Sequence, residues 1–202
     1  MLFIIGMLTI IGLLTVLLGL YERTERKFFV FGLFALTVAA RTLVTVPFLY
    51  RLLPLPISYE LATRIEYLTT ILIGYLYTMF IYMVFRDLFH KWLVYFNFAI
   101  LTFLGGFIVL TEPVVFQAVF FKGFLLEVII IFYNIYVIAK AIIKKRPLAT
   151  AHAIGISIVF IGMVIDYLSG IAILNVFPVS HLCTTLHVII IVVSISRNYA
   201  KH

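Results

Sequence analysis

Apolar residues fall into seven long stretches divided by short polar connections. They occupy residues 2–20, 28–49, 59–85, 92–110, 114–143, 148–174 and 178–195. A bilayer-spanning helix needs about 20 mainly apolar residues, so each stretch predicts a transmembrane helix. The third, fifth and sixth exceed that need and are expected to tilt, kink or project beyond the membrane. The connections carry residues that end helices: Pro54 and Pro56 in the second, Pro113 in the fourth, and Lys144, Lys145 and Arg146 before Pro147. Pro147 is expected to open the sixth helix and Pro178 the seventh. Short links between antiparallel neighbours predict an all-α integral membrane fold, an up-and-down bundle of seven transmembrane helices forming a single domain over residues 1–202. The first three and last three stretches share no motif, which argues against the seven-span sugar-transporter architecture of two three-helix units joined by a linker helix.

Charge gives the bundle a direction. The first, third and fifth connections and the C-terminal segment hold Arg23, Arg26, Lys27, Arg86, Lys91, Lys140, Lys144, Lys145, Arg146, Arg197 and Lys201, eleven of the fifteen Lys and Arg residues. The remaining four are Arg41, Arg51, Arg64 and Lys122. Positive residues accumulate on the cytoplasmic side, so the N-terminus is expected outside and the C-terminus in the cytoplasm. Because the net charge of +7 is spread among short connections, it reports topology and not nucleic-acid binding. With 65% of residues apolar and 11% charged, an ordinary soluble fold is excluded. The first stretch has no basic segment before it and a basic cluster behind it, the reverse of a cleavable signal, so it is expected to stay in the membrane. Cys183, the single cysteine, has no partner for an intramolecular disulfide.

Ionisable groups inside spans are costly and each needs a partner, a cavity or water. At 1.5 Å per residue, Arg41 lies roughly 20 Å above the cytoplasmic start of its helix and Asp166 about 25 Å. Arg64 and Glu66 sit near the outer start of the third helix, Lys122 and Glu127 lower on the fifth, and His181 near the outer end of the seventh. His187 lies about 9 Å further in. These eight residues are the candidates for ligand binding or signalling, against the plain alternative of ion pairs and hydrogen bonds that hold the bundle together. Arg64 and Glu66 are two residues apart and point to different sides of their helix. Glu66 shares a face with Thr69 and Thr70, Arg41 with Thr37 and Thr45, and Asp166 with the small residues Gly162 and Gly170. Glu66, Arg41 and Asp166 are therefore expected to face inward.

Catalytic and cofactor chemistry finds no support in the spacing. The last helix has no lysine for a retinal Schiff base. His152 is placed near the cytoplasmic side, while His181 and His187 diverge around one helix, so haem ligation is not expected. Cys183 and His187 share a face but lack the further ligands of a metal site. No hydrolase motif is present. No enzyme activity, metal or cofactor is expected.

Three stretches carry a resemblance: the charged first connection leading to Arg41; Arg64, Ile65, Glu66, Tyr67 and Leu68; and Ile165, Asp166, Tyr167 and Leu168 followed by the last helix with Ser196, Arg197, Asn198, Tyr199 and Ala200. In their order and spacing the chain resembles the membrane domain of the bacterial seven-transmembrane receptors with diverse intracellular signalling modules. The resemblance implies a sensory module of the inner membrane that responds to an extracytoplasmic small molecule or sensor domain. It also implies relay through the seventh helix to a cytoplasmic output domain such as a kinase or cyclase. Neither flanking domain is expected within these residues. The expected partners are membrane lipid, that extracytoplasmic ligand or domain, the output domain, a second copy in a homodimer, and no nucleic acid. A solute transporter or channel and a structural membrane subunit are the competing functions.

Overall fold

The computed structural model describes residues 2–21, 26–45, 57–170, 173 and 179–199, except for the side chains of residues 121, 122, 124, 125, 127, 167, 170, 198 and 199. The described residues form α1 (Leu2–Tyr21), α2 (Arg26–Thr45), α3 (Tyr59–Val84), α4 (Lys91–Leu110), α5 (Pro113–Ile143), α6 (Ala149–Gly170) and α7 (Ser180–Tyr199), with no strand among them. α1, α2, α3, α4, α6 and α7 each contain an apolar window long enough to cross a bilayer, and the Val128–Ile143 part of α5 is apolar too. The protein is thus an all-α, multi-pass membrane protein.

Local chemistry sets the helix ends. Ser58 caps α3 by accepting from the Leu61 amide at 3.2 Å, and Glu60 places negative charge at that positive helix end. α4 stops at Thr111, whose amide and hydroxyl both donate to the Phe107 carbonyl, at 3.1 and 2.7 Å. Pro113 then occupies the first position of α5, where its missing N–H costs nothing. α5 closes in a left-handed turn at Lys145 (φ 50°), with the Arg146 amide on the Ala141 carbonyl at 2.9 Å. At 26 and 31 residues, α3 and α5 extend about 39 and 46 Å, longer than a hydrocarbon core about 30 Å thick.

Two boundaries differ from expectation. α6 begins at Ala149, two residues beyond Pro147, because Leu148 adopts a left-handed φ of 68° that no helix continues through. α7 runs to Tyr199 instead of stopping at Ile195. Hydropathy marks where the membrane ends, and Ser196, Arg197 and Asn198 contain nothing that breaks a helix. Pro54, Pro56, Pro178, Gly170's surroundings, and the basic residues Arg23, Arg51 and Lys201 lie outside the described residues.

The chain divides into two compact units, Met1–Asn134 and Ile135–His202, and the division falls within the continuous helix α5. In the first unit α1 and α2 are antiparallel, pairing positions 12 with 36, 16 with 32 and 19 with 29. The next pair continues the pattern, with Phe31 on Phe80 and Phe34 on Tyr77, ring centroids 5.1 and 5.7 Å apart. α3 and α4 meet through Tyr75 and Phe98 at 5.7 Å. A core of Ile71, Ile100, Leu104, Ile108, Phe116 and Ile130 joins α3, α4 and α5. Only 17% of the apolar window of α1 is buried against 61% for α2, so α2 is the inner helix of this unit and α1 presents most of its surface to lipid. The second unit consists of the end of α5 and the antiparallel pair α6 and α7, packed through positions 155 with 187 and 162 with 183.

Candidate functional site

In the first unit, Arg41 leaves the last two turns of α2 and crosses to α3. Its Nη1 donates to the main-chain carbonyl of Glu66 at 2.9 Å and to the Thr70 hydroxyl. That carbonyl also accepts from the Thr70 hydroxyl at 2.7 Å and the Thr69 hydroxyl at 3.0 Å. The inward expectation for Arg41 and the shared face of Glu66, Thr69 and Thr70 therefore converge on one spot. The partner differs from a simple ion pair, however: Arg41 bonds to the Glu66 backbone, and the Glu66 carboxylate makes no hydrogen bond or ion pair among the described residues.

Arg64 points elsewhere, as its spacing from Glu66 predicts. Its Nη2 and Nε donate to Glu60 at 2.7 and 3.1 Å, one helical turn earlier. Its Nη1 donates to the carbonyls of Ile108 and of Val109, the latter at 3.0 Å. A cation on the last carbonyls of α4 opposes the negative end of that helix. The guanidinium also lies 5.7 Å from the Phe116 ring centroid, beside Tyr67, which packs edge-on against Phe116 and Phe120 at 5.3 and 4.6 Å. Arg64 is thus a staple between α3, α4 and α5. Among the described residues the Arg64–Glu60 ion pair is intrahelical.

In the second unit Asp166 sits near the end of α6. Its two carboxylate oxygens accept from the amides of Val179 and Ser180, at 2.6 and 3.1 Å. These are first-turn amides of α7 without intrahelical acceptors, so Asp166 caps that helix from its neighbour. Sequence periodicity places Asp166 on the inward stripe with Gly162 but gives no sign of this role, because its partners are backbone groups beyond a connection. His181 is half-buried, with its carbonyl accepting from Thr185 at 2.8 Å. The side chains of Lys122 and Glu127 lie outside the described residues.

His187 is buried, facing His152 of α6 at 6.3 Å between ring centroids. Depth counting from the span ends separates these two histidines. The packing of α6 against α7, with position 155 opposite 187 and 162 opposite 183, brings the two rings together, which corrects that expectation. The Gly155 backbone lies against the His187 ring.

A survey restricted to ionisable groups also misses the polar residues buried where α3, α4 and α5 meet. Asn134 donates to the Thr78 hydroxyl at 2.9 Å. Asn97 is fully buried on the same face of α4 as Ile100, Leu104 and Ile108, and neither of its amide atoms has a hydrogen-bond partner among the described residues. The usable signal is an asparagine at positions that continue an apolar stripe at spacings of three and four.

A family model described as 7TM diverse intracellular signalling matches residues 1–198. No curated protein and no solved structure matches the chain.

Proposed function

Because the chain belongs to the 7TM diverse intracellular signalling family, we propose that it is the transmembrane sensory module of a bacterial receptor. In this reading it lies in the cytoplasmic membrane as seven spans, α5 being the fifth, with the N-terminus outside and the C-terminus in the cytoplasm. An extracytoplasmic ligand or sensor domain biases the packing of the spans, and α7 passes the change to a cytoplasmic output domain.

The observation that carries this reading is the Arg41 contact. A guanidinium held within a span by a backbone carbonyl and a hydroxyl, beside a carboxylate with which it makes no hydrogen bond or ion pair among the described residues, is a costly arrangement for packing alone. The Arg41 bonds among the described residues use Nη1, so Nη2 and Nε are donors for an anionic or strongly polar group. Arg64 and Asp166 are better read as structural, since each is spent on a helix end. The candidate binding group is therefore narrowed to Arg41, Glu66 and Thr70.

A module of this kind must have two packings that its ligand distinguishes. The test fuses a diguanylate cyclase reporter after His202 and reads its basal output in membranes. Arg41→Gln and Glu66→Gln are expected to shift that output about fivefold or more, the scale of a coupling near 1 kcal/mol, while Leu13→Ala on the lipid-facing side of α1 leaves it unchanged. Equal output from all three variants, with the bundle still folded, would sink the relay reading.

A further inference from the structure

At the basic end of the second unit, where α5 closes and α6 begins, a cavity of about 310 Å³ opens between the turn and the last part of α7. Arg146 and Arg197 line it from separate segments, together with the hydroxyl-bearing Thr150 and Ser194. No carboxylate is among its lining residues. The left-handed conformations of Lys145 and Leu148 (φ 50° and 68°) fold the chain sharply, so that Arg146 and the first turn of the 22-residue helix α6 reach the same hollow. Thr150 and Ala151, also in the lining, are first-turn residues whose amides precede the helix's own hydrogen-bond ladder, at the positive end of its dipole.

Two arginines, two hydroxyl-bearing residues and a helix start thus line one small volume. Each is a hydrogen-bond donor, and together they favour a compact oxyanion. Guanidinium forks match the oxygen spacing of phosphate and carboxylate, and phosphate also satisfies hydroxyl and backbone donors arrayed around it. Leu148 supplies an apolar wall on one side, and Lys144 and Lys145 stand beside the cavity in the chain, raising the local positive potential. Arg146 and Arg197 are both exposed, so a headgroup reaches them from the membrane surface without opening the helices.

We propose that this cavity is a phosphate-binding site that takes the phosphodiester of an anionic membrane lipid, free phosphate being the other source of the same chemistry. A bound phosphate bridges the turn before α6 to the end of α7. It therefore ties together the two chain segments at that end whether or not α7 relays a signal.

The purified chain in maltoside detergent is titrated separately with short-chain phosphatidylglycerol, short-chain phosphatidylcholine and inorganic phosphate, and bound adducts are counted by native mass spectrometry. One phosphatidylglycerol is expected to bind saturably, with phosphatidylcholine at least tenfold weaker. Arg146→Gln and Arg197→Gln each weaken the binding about fivefold, following roughly 1 kcal/mol per interfacial basic residue. Arg146→Lys and Arg197→Lys fall between, because they keep the charge and lose the fork. Arg86→Gln, a basic connection residue of the first unit, leaves binding unchanged. If either glutamine variant fails to fold, Thr150→Val with Ser194→Ala tests the same cavity and is expected to weaken phosphatidylglycerol binding severalfold. Displacement of the lipid by millimolar inorganic phosphate assigns the site to free phosphate and overturns the lipid source. Equal retention of phosphatidylcholine, or equal damage from Arg86→Gln, overturns the site altogether.

Discussion

The antiparallel pairs α1–α2 and α6–α7 both rely on glycine, yet they are different seams. Between α1 and α2, glycines meet main chain: a Cβ at Gly32 would lie 2.6 Å from the Val16 amide nitrogen and 2.7 Å from the Gly12 carbonyl oxygen, and one at Gly19 would strike the Phe29 backbone. Between α6 and α7, glycines meet side chains first, the His187 ring at Gly155 and Cys183 at Gly162. With lipid as solvent, helices associate through close packing and polar contacts and not through apolar burial. The first seam rests largely on backbone contact at Gly19 and Gly32, which leaves it little give. The second places a polar ring and a thiol in the gap and is closed at one end by the Asp166 cap, so side-chain rotation can adjust it.

Substitutions break this contrast in graded ways. Gly32→Leu should be the most damaging, costing about 3 kcal/mol or more because backbone cannot rotate aside; reversible unfolding in mixed micelles measures it, and a cost under 1 kcal/mol would show that the seam can part. Gly155→Ala should cost about 1–3 kcal/mol by driving into the His187 ring. Adding His187→Ala should recover much of that loss, giving a coupling above about 1 kcal/mol in a double-mutant cycle. Strict additivity of the two would remove the claim that this seam adjusts through its side chains. Asp166→Asn keeps one acceptor but loses the charge at the start of α7, for an expected cost of about 1 kcal/mol, visible as faster hydrogen exchange of the Val179 and Ser180 amides. Asn97→Leu lies outside both seams and serves as the reference. It removes two unpaired buried groups and should stabilise the protein by up to about 1 kcal/mol.

Legibility from sequence followed the range of the interaction. Helix positions, the break between α4 and α5 at Pro113 and the opposed directions of Arg64 and Glu66 depend on apolar length, one residue type and 100° per residue. All were available from the chain. The Asp166 cap was not, because its partners are amides, which every residue carries and no sequence letter marks. The His152 and His187 encounter depends on interhelical register, which sets position 155 opposite 187 and which no depth count from the span ends supplies. Asn97 and Asn134 escaped because they are uncharged, although in a span an unpaired amide is also costly.

The Glu66 carbonyl has a further consequence. A carbonyl oxygen has two lone pairs, and this one is approached by Arg41, by the hydroxyls of Thr69 and Thr70, and by the Thr70 amide that a regular helix directs there. Although the Thr69 hydroxyl lies closer to the Ile65 carbonyl, at 2.7 Å, donors crowd this one oxygen at a turn where hydroxyl back-bonding favours a bend. The same arginine that anchors α2 to α3 also competes with the helix for one of its own acceptors. Whatever draws its guanidinium away would leave that carbonyl to the hydroxyls and amide of its own helix.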